Sequence, residues 1–292
     1  MKIVLSKLPK SGWWNRGIPK YLDNPAMQEG KIPNSTLLKK ERNALISAIK
    51  EEGHEIIELD FPKQLDTVNP GHDFVFIRDP YISNQNGKVI ILRAGEPKRR
   101  IENRIVIALL EQLHVKICEM PDKPGWRADG GEFFYCAKDK ILFSGLQRNS
   151  QKGVDFVAEE LNVDKVVLLE GTGFHLDTFF TPVLNKDGYI AALIICMKAL
   201  KATSKKVLYQ FANKNNIPVF DVPERDAIGT KKRTGKFAVN TLPLPGVILK
   251  PDYFSNPFID EQLGDLGIKI KISQTSQFQL SGGSVHCVTN EL

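Results

Sequence analysis

The sequence predicts an α/β fold made of five hairpin–helix–strand units closed into a ring. Three observations predict it. Two apolar β-rich runs joined by a turn recur along the chain. Each pair is followed by a helical stretch and a short strand. The recurrence interval is about 45–65 residues, in the range of repeat architectures.

Residues 73–95, "DFVFIRDPYISNQNGKVIILRAG", read as a hairpin turning at Asn86-Gly87. "EPKRRIENRIVIALLEQL" (96–113) follows with Ile101, Ile105, Ala108 and Leu109 at helical spacing, then the strand "VKICEM". "GEFFYCAKDKILFSGL", "SQKGVDFVAEEL" and "KVVLLE" repeat the order. "FHLDTFFTPVLNKDGYIAALIICM", a helix near 197–214 and "PVFDV" repeat it again. The next unit is weaker: "KFAVNTLPLPGVILK", a helix near 255–265 and "IKIKIS". A final strand over 283–291 pairs with "KIVLSKL" near the start, and "NSTLLKKERNALISAIKEE" and "EIIEL" supply the helix and strand that close the circle. Strands near the axis would send alternate side chains into the central space.

With 292 residues, 42% hydrophobic and 25% charged, the chain has enough apolar content for a core. We expect one catalytic domain over residues 1–292. The net charge of +6 is dispersed; "KRR" at 98–100 and "KKR" at 231–233 are short. Nucleic-acid binding is therefore not expected. The longest apolar run, "YIAALIICM", falls well below the ~20 residues of a membrane span. Four cysteines (118, 136, 196 and 287) form no CxxC pattern, so free thiols, a cytoplasmic location and no structural metal are expected.

Polar residues interrupt the apolar hairpins: Asp79 in "FIRDP", Glu132 in "DGGEFF", His175 and Asp177 in "FHLDTFF", and Cys287 in "VHCVT". A thiol, an imidazole and three carboxylates suit covalent catalysis on a cation. Thiolate is the nucleophile. His175, from another unit, can face the sulfur and exchange protons with a departing amine and with water. In a strand His286 would face away from Cys287, so it is read as support. A guanidinium is the planar cation that carboxylates grip best.

The set "FIRDP", "DGGE", "FHLDT" and "GGSVHC" resembles the guanidine-modifying enzymes of the pentein fold, a five-bladed α/β propeller. It is most similar to the dimethylarginine dimethylaminohydrolases and the arginine deiminases. The resemblance covers about residues 70–185 and the last dozen. It implies hydrolysis of arginine or an N-methylated arginine to citrulline through a thiouronium on Cys287. His175 would be acid then base, Glu132 would support it and grip the guanidinium, and Asp79 and Asp177 would clamp the guanidinium. "ILRAGEPKRR" and "GLQRNSQKG" are similar to segments whose arginines, here Arg93 and Arg148, meet the substrate carboxylate. Asp73 falls where the amino group binds. Arg78 departs from the dimethylargininases, which carry an acidic residue there. Gly282 departs from the deiminases, which carry an arginine. No cofactor is implied.

Two alternatives stay open: an amidinotransferase in which an amine resolves the intermediate, and a non-enzymatic member binding an arginine-like ligand or a protein. The expected partner is a small guanidine; an exposed strand edge or the lid segment would be the place for a homodimer. Residues 10–34, "KSGWWNRGIPKYLDNPAMQEGKIPN", read either as a lid, with Trp13, Trp14 or Met27 closing over substrate, or as a surface loop anchored by its tryptophans.

Overall fold

The chain alternates between short buried hairpins and amphipathic helices because neither can hide its apolar face alone. A computed structural model describes residues 1–13, 22–67, 71–230 and 233–292. β1 (Lys2–Ser6), α1 (Pro25–Glu29), α2 (Ser35–Glu51) and β2 (Glu55–Leu59) come first. Asn34 caps α2, its side chain accepting from the Leu37 N–H at 3.0 Å.

The second unit is β3 (Tyr81–Ser83), β4 (Lys88–Ile91), α3 (Glu102–Glu111) and β5 (Lys116–Glu119). The third is β6 (Phe133–Cys136), β7 (Ile141–Ser144), α4 (Gln151–Leu161) and β8 (Lys165–Leu168). The fourth is β9 (Phe180–Leu184), β10 (Ile190–Ile195), α5 (Ala202–Lys214) and β11 (Val219–Asp221). A small ladder, β12 (Gly229–Thr230) with β13 (Arg233–Thr234), precedes the fifth: β14 (Leu242–Leu244), β15 (Val247–Lys250), α6 (Pro257–Asp265) and β16 (Lys269–Ile272). α7 (Ser276–Gln279) and β17 (Asn290–Glu291) complete the chain.

Each unit forms its own three-stranded sheet, an antiparallel pair plus one parallel strand. The ring closes where β17 pairs antiparallel with β1 (Ile3↔Glu291, Val4↔Asn290) and β2 joins in parallel. First hairpin strands face inward: β14 packs on β9 and β17 on β3. β9 is buried throughout, whereas β5, β8 and β16 are half-exposed. No helix among the described residues is long and apolar enough to cross a membrane.

Three local expectations change. In α3 the buried stripe is Glu102, Val106 and Leu110, while Ile101 is 61% exposed. Pro97 opens a 3₁₀ turn over Pro97–Ile101 that resets the helical phase. The final strand shortens to Asn290–Glu291, and residues 285–288 form a turn. Asp79, Glu132 and Asp177 lie in turns just before the hairpin strands rather than within them.

Candidate active site

These turns place one polar residue at the entrance to each inner strand. Asp79 precedes β3, Glu132 precedes β6, Asp177 precedes β9 and Cys287 precedes β17. Cys287, His175, Asp73, Asp79 and Arg148 all line one small cavity of about 20 Å³. That is room for about one water molecule.

The wall on the N-terminal side is α1 and its cap. Asn24 and Met27 line the cavity, and Asn24 Nδ2 donates to the Ser281 carbonyl at 2.9 Å. Gly282 is needed there: its φ is +81°, and a Cβ would collide with the Asn24 amide. Trp13 does not reach the cavity. It is buried between Phe76 and Phe278, and its Nε1 donates to the His72 carbonyl at 3.1 Å. Trp14 lies outside the described residues.

Cys287 Sγ donates to Asp177 Oδ2 at 3.4 Å and accepts from Asn240 Nδ2 at 3.2 Å. Burial, then the charges of Asp177 and Asp79, push the thiol well above its ordinary value. The sulfur therefore rests protonated at neutral pH. His286 is a support, but not by facing away: its Nδ1 meets the same Asp177 Oδ2 at 2.8 Å, because a turn lets both neighbours reach one carboxylate. Its ring stacks on Phe134 at 4.4 Å. Burial and the Arg78 charge pull this imidazole down, so it stays neutral.

His175 is the opposite case. Its Nε2 lies 3.0 Å from Asp129 Oδ2 and its Nδ1 lies 3.5 Å from Asp79 Oδ1. Burial pulls the imidazole down, but Asp79 and the hydrogen bond to Asp129 outweigh it and raise it to about 9. The ring is an imidazolium at neutral pH, suited to give a proton. Gly131 makes the arrangement possible: a Cβ there would lie 2.5 Å from His175 Nδ1, and its N–H donates to Asp79 Oδ1 at 3.1 Å. Asp129, the first residue of "DGGE", was not singled out in the sequence; its place beside the glycine pair was the available signal.

Glu132 does not line the cavity. Its oxygens accept from the Arg148 N–H at 2.6 Å and the Leu176 N–H at 2.9 Å, tying the arginine segment to the histidine segment. Burial raises its carboxyl to about 7. Arg93 also lies off the cavity, held by Asp122 Oδ1 at 2.5 Å and the Trp126 carbonyl at 2.9 Å. The second arginine in the wall is Arg99, from the "KRR" read only as a short basic run. It is buried and bonds Asp79, Glu102 at 2.8 and 2.9 Å, and the Asp73 carbonyl at 3.0 Å. Arg148 forms a bidentate pair with Asp23, both contacts 2.9 Å, and lies over the Phe174 ring.

Arg78 explains its own departure from the motif. It turns away from the cavity and clamps Glu291 at 2.6 and 2.9 Å, while its Nε donates to the His286 carbonyl at 3.3 Å. Asn290 Nδ2 donates to the Ile77 and Tyr81 carbonyls at 3.0 Å each. The last residues thus pin the turn that carries Cys287.

A family model described as N,N dimethylarginine dimethylhydrolase, eukaryotic, matches residues 26–292. Among solved structures, the N-terminal domain of an ArgZ variant, covalently bonded to a reaction intermediate, superposes with a TM-score of 0.80 at 21% identity, covering 99% of this chain and 96% of that one. ArgZ is described as an arginine dihydrolase from the ornithine–ammonia cycle in cyanobacteria. Unliganded AgrE gives 0.79 at 18% identity over 99% of this chain and 39% of that one. A dimethylarginine dimethylaminohydrolase adduct with 4-chloro-2-hydroxymethylpyridine gives 0.72 at 17% identity over 100% and 99%. These likenesses establish the pentein fold.

Proposed function

The chain belongs to the N,N-dimethylarginine dimethylhydrolase family, and on that premise we propose that residues 1–292 form one catalytic domain hydrolysing the guanidinium of arginine or an N-methylated arginine to citrulline. The observation that carries this reading is a buried thiol and an imidazolium, Cys287 and His175, on one carboxylate-lined cavity.

As the cation binds, the thiol proton passes to water and sulfur attacks the guanidinium carbon. His175 gives its proton to the departing amine as the C–N bond breaks, leaving a thiouronium. Water then adds to that carbon while His175 takes back a proton. The C–S bond breaks, sulfur leaves with its electron pair, and the new hydroxyl loses its proton to give the ureido product.

Arg148 and Arg99 supply the anion handle, because both line the cavity and Arg93 does not. Asp73 receives the amino group. Unsubstituted arginine fits best. Asp79 lines the cavity; Asp177 does not, but it bonds the Cys287 sulfur. The two are carboxylates for the guanidinium nitrogens, and Asp177 Oδ1 is buried without a hydrogen-bond partner among the described residues. A dimethylated nitrogen has no N–H to offer it.

Citrulline production from arginine and from asymmetric dimethylarginine, measured side by side, tests the assignment. Faster turnover of arginine is expected. Product from the methylated substrate alone contradicts the two-carboxylate clamp. Turnover that depends on an added amine assigns a transferase instead.

A further inference from the structure

The ring has five inner-strand entrances, and four of them carry the polar residues described above. Asp79, Glu132, Asp177 and Cys287 stand one to three residues before β3, β6, β9 and β17. The fifth unit places Asn240 there, two residues before β14. Asn240 is fully buried, and every polar atom of its amide is engaged. Nδ2 donates to Cys287 Sγ at 3.2 Å and to the Asp177 carbonyl at 3.1 Å. Oδ1 accepts from the His286 N–H at 3.0 Å and the Cys287 N–H at 3.4 Å. The loop behind it is held in an uncommon shape: Phe237, fully buried, has φ +54°, and its carbonyl accepts from the Asn240 N–H at 2.9 Å.

We propose that Asn240 is a catalytic residue of the hydrolysis, the N–H donor that holds the Cys287 sulfur as an anion when it attacks and again when it is expelled. This rests on the reaction proposed above. The chemistry calls for such a donor. Asp177 donates nothing to sulfur, its Oδ2 lies 3.4 Å away, and the Asp79 charge also opposes the thiolate. His286 bonds Asp177 rather than sulfur and is neutral, and the His175 nitrogens are held by Asp79 and Asp129. An amide donor stabilises the anion without adding a charge that would repel the incoming cation. When the C–S bond forms, the sulfur lone pair leaves the N–H; when that bond breaks, the pair returns to it.

Asn240→Asp separates this role from a structural one. The carboxylate keeps the oxygen that accepts from residues 286 and 287, but replaces the donor with a negative charge. The readout is iodoacetamide alkylation of the Cys287 peptide against pH, followed by mass spectrometry, with the variant's fold checked by circular dichroism. The alkylation midpoint is expected to rise by about one pH unit or more, which is a tenfold change in thiolate. Citrulline turnover is expected to fall by about tenfold to a hundredfold. If Asn240→Asp does not fold, Asn240→Leu is read the same way, since its side chain of similar size has no donor and adds no charge. An unmoved midpoint with turnover within about threefold of wild type overturns the proposal. Alkylation needs no guanidine. A shifted midpoint in a protein that turns over no guanidine therefore sinks the hydrolase reading and keeps the donor.

Discussion

His175 carries the pH dependence. In the proposed hydrolysis its imidazolium gives a proton to the amine, so activity is expected to fall as pH rises through about 9. The linkage has the same sign. A folded-state value raised above 6.5 stabilises the fold below that pH, and the contribution is lost as pH passes about 9. Asp129→Asn removes one partner of the ring, and the alkaline limb of kcat is expected to move to lower pH; an unmoved limb removes Asp129 from the account. The arginines separate just as cleanly. Arg148→Ala should raise KM for arginine by about tenfold or more, the scale of a lost charged hydrogen bond. Arg93→Ala should stay within about threefold, because Arg93 lies off the cavity that Arg148 lines. Steady-state kinetics of both variants decide it. Sequence pointed to Cys287, His175 and the aspartates because they are polar interruptions in apolar runs. It missed Arg99 and Asn240 because a basic run and an asparagine before a strand carry no such contrast, and only folding reveals which of two nearby arginines turns inward.

Among the elements, the C-terminal turn contributes most. Arg78 is buried and its charge is matched by Glu291. Glu291→Gln leaves that charge uncompensated and is expected to cost about 3 kcal/mol, the lower range for breaking a buried pair. Denaturant unfolding measures it. Turnover should fall as well, since Arg78 holds the His286 carbonyl and its N–H donates to the Cys287 carbonyl at 3.2 Å. Full stability in Glu291→Gln would show that the clamp is incidental. The hairpins and helices were legible from periodicity, including the weak fifth unit. The last strand was not. Apolar "SVHCV" reads equally as strand or buried turn, and the side-chain bonds of Asn240 and the clamp of Arg78 choose the turn.

At the scale of the whole molecule, the site exists only because the ring closes. Sulfur comes from the first unit's sheet, Asp79 from the second, Glu132 and Asp129 from the third, His175 and Asp177 from the fourth and Asn240 from the fifth. Met27 of α1 and Arg148 line the cavity of about 20 Å³, room for about one water molecule, so its walls must move to admit a guanidinium. The repeat rhythm announced the ring, while the walls of the cavity are set by contacts that no pattern in the sequence marks. Acid-quenched mass spectrometry of the Cys287 peptide during arginine turnover tests the central claim most directly. A covalent amidine adduct on Cys287, with no citrulline from Cys287→Ser, is the predicted result. Citrulline formed without an adduct, and undiminished in Cys287→Ser, would contradict it.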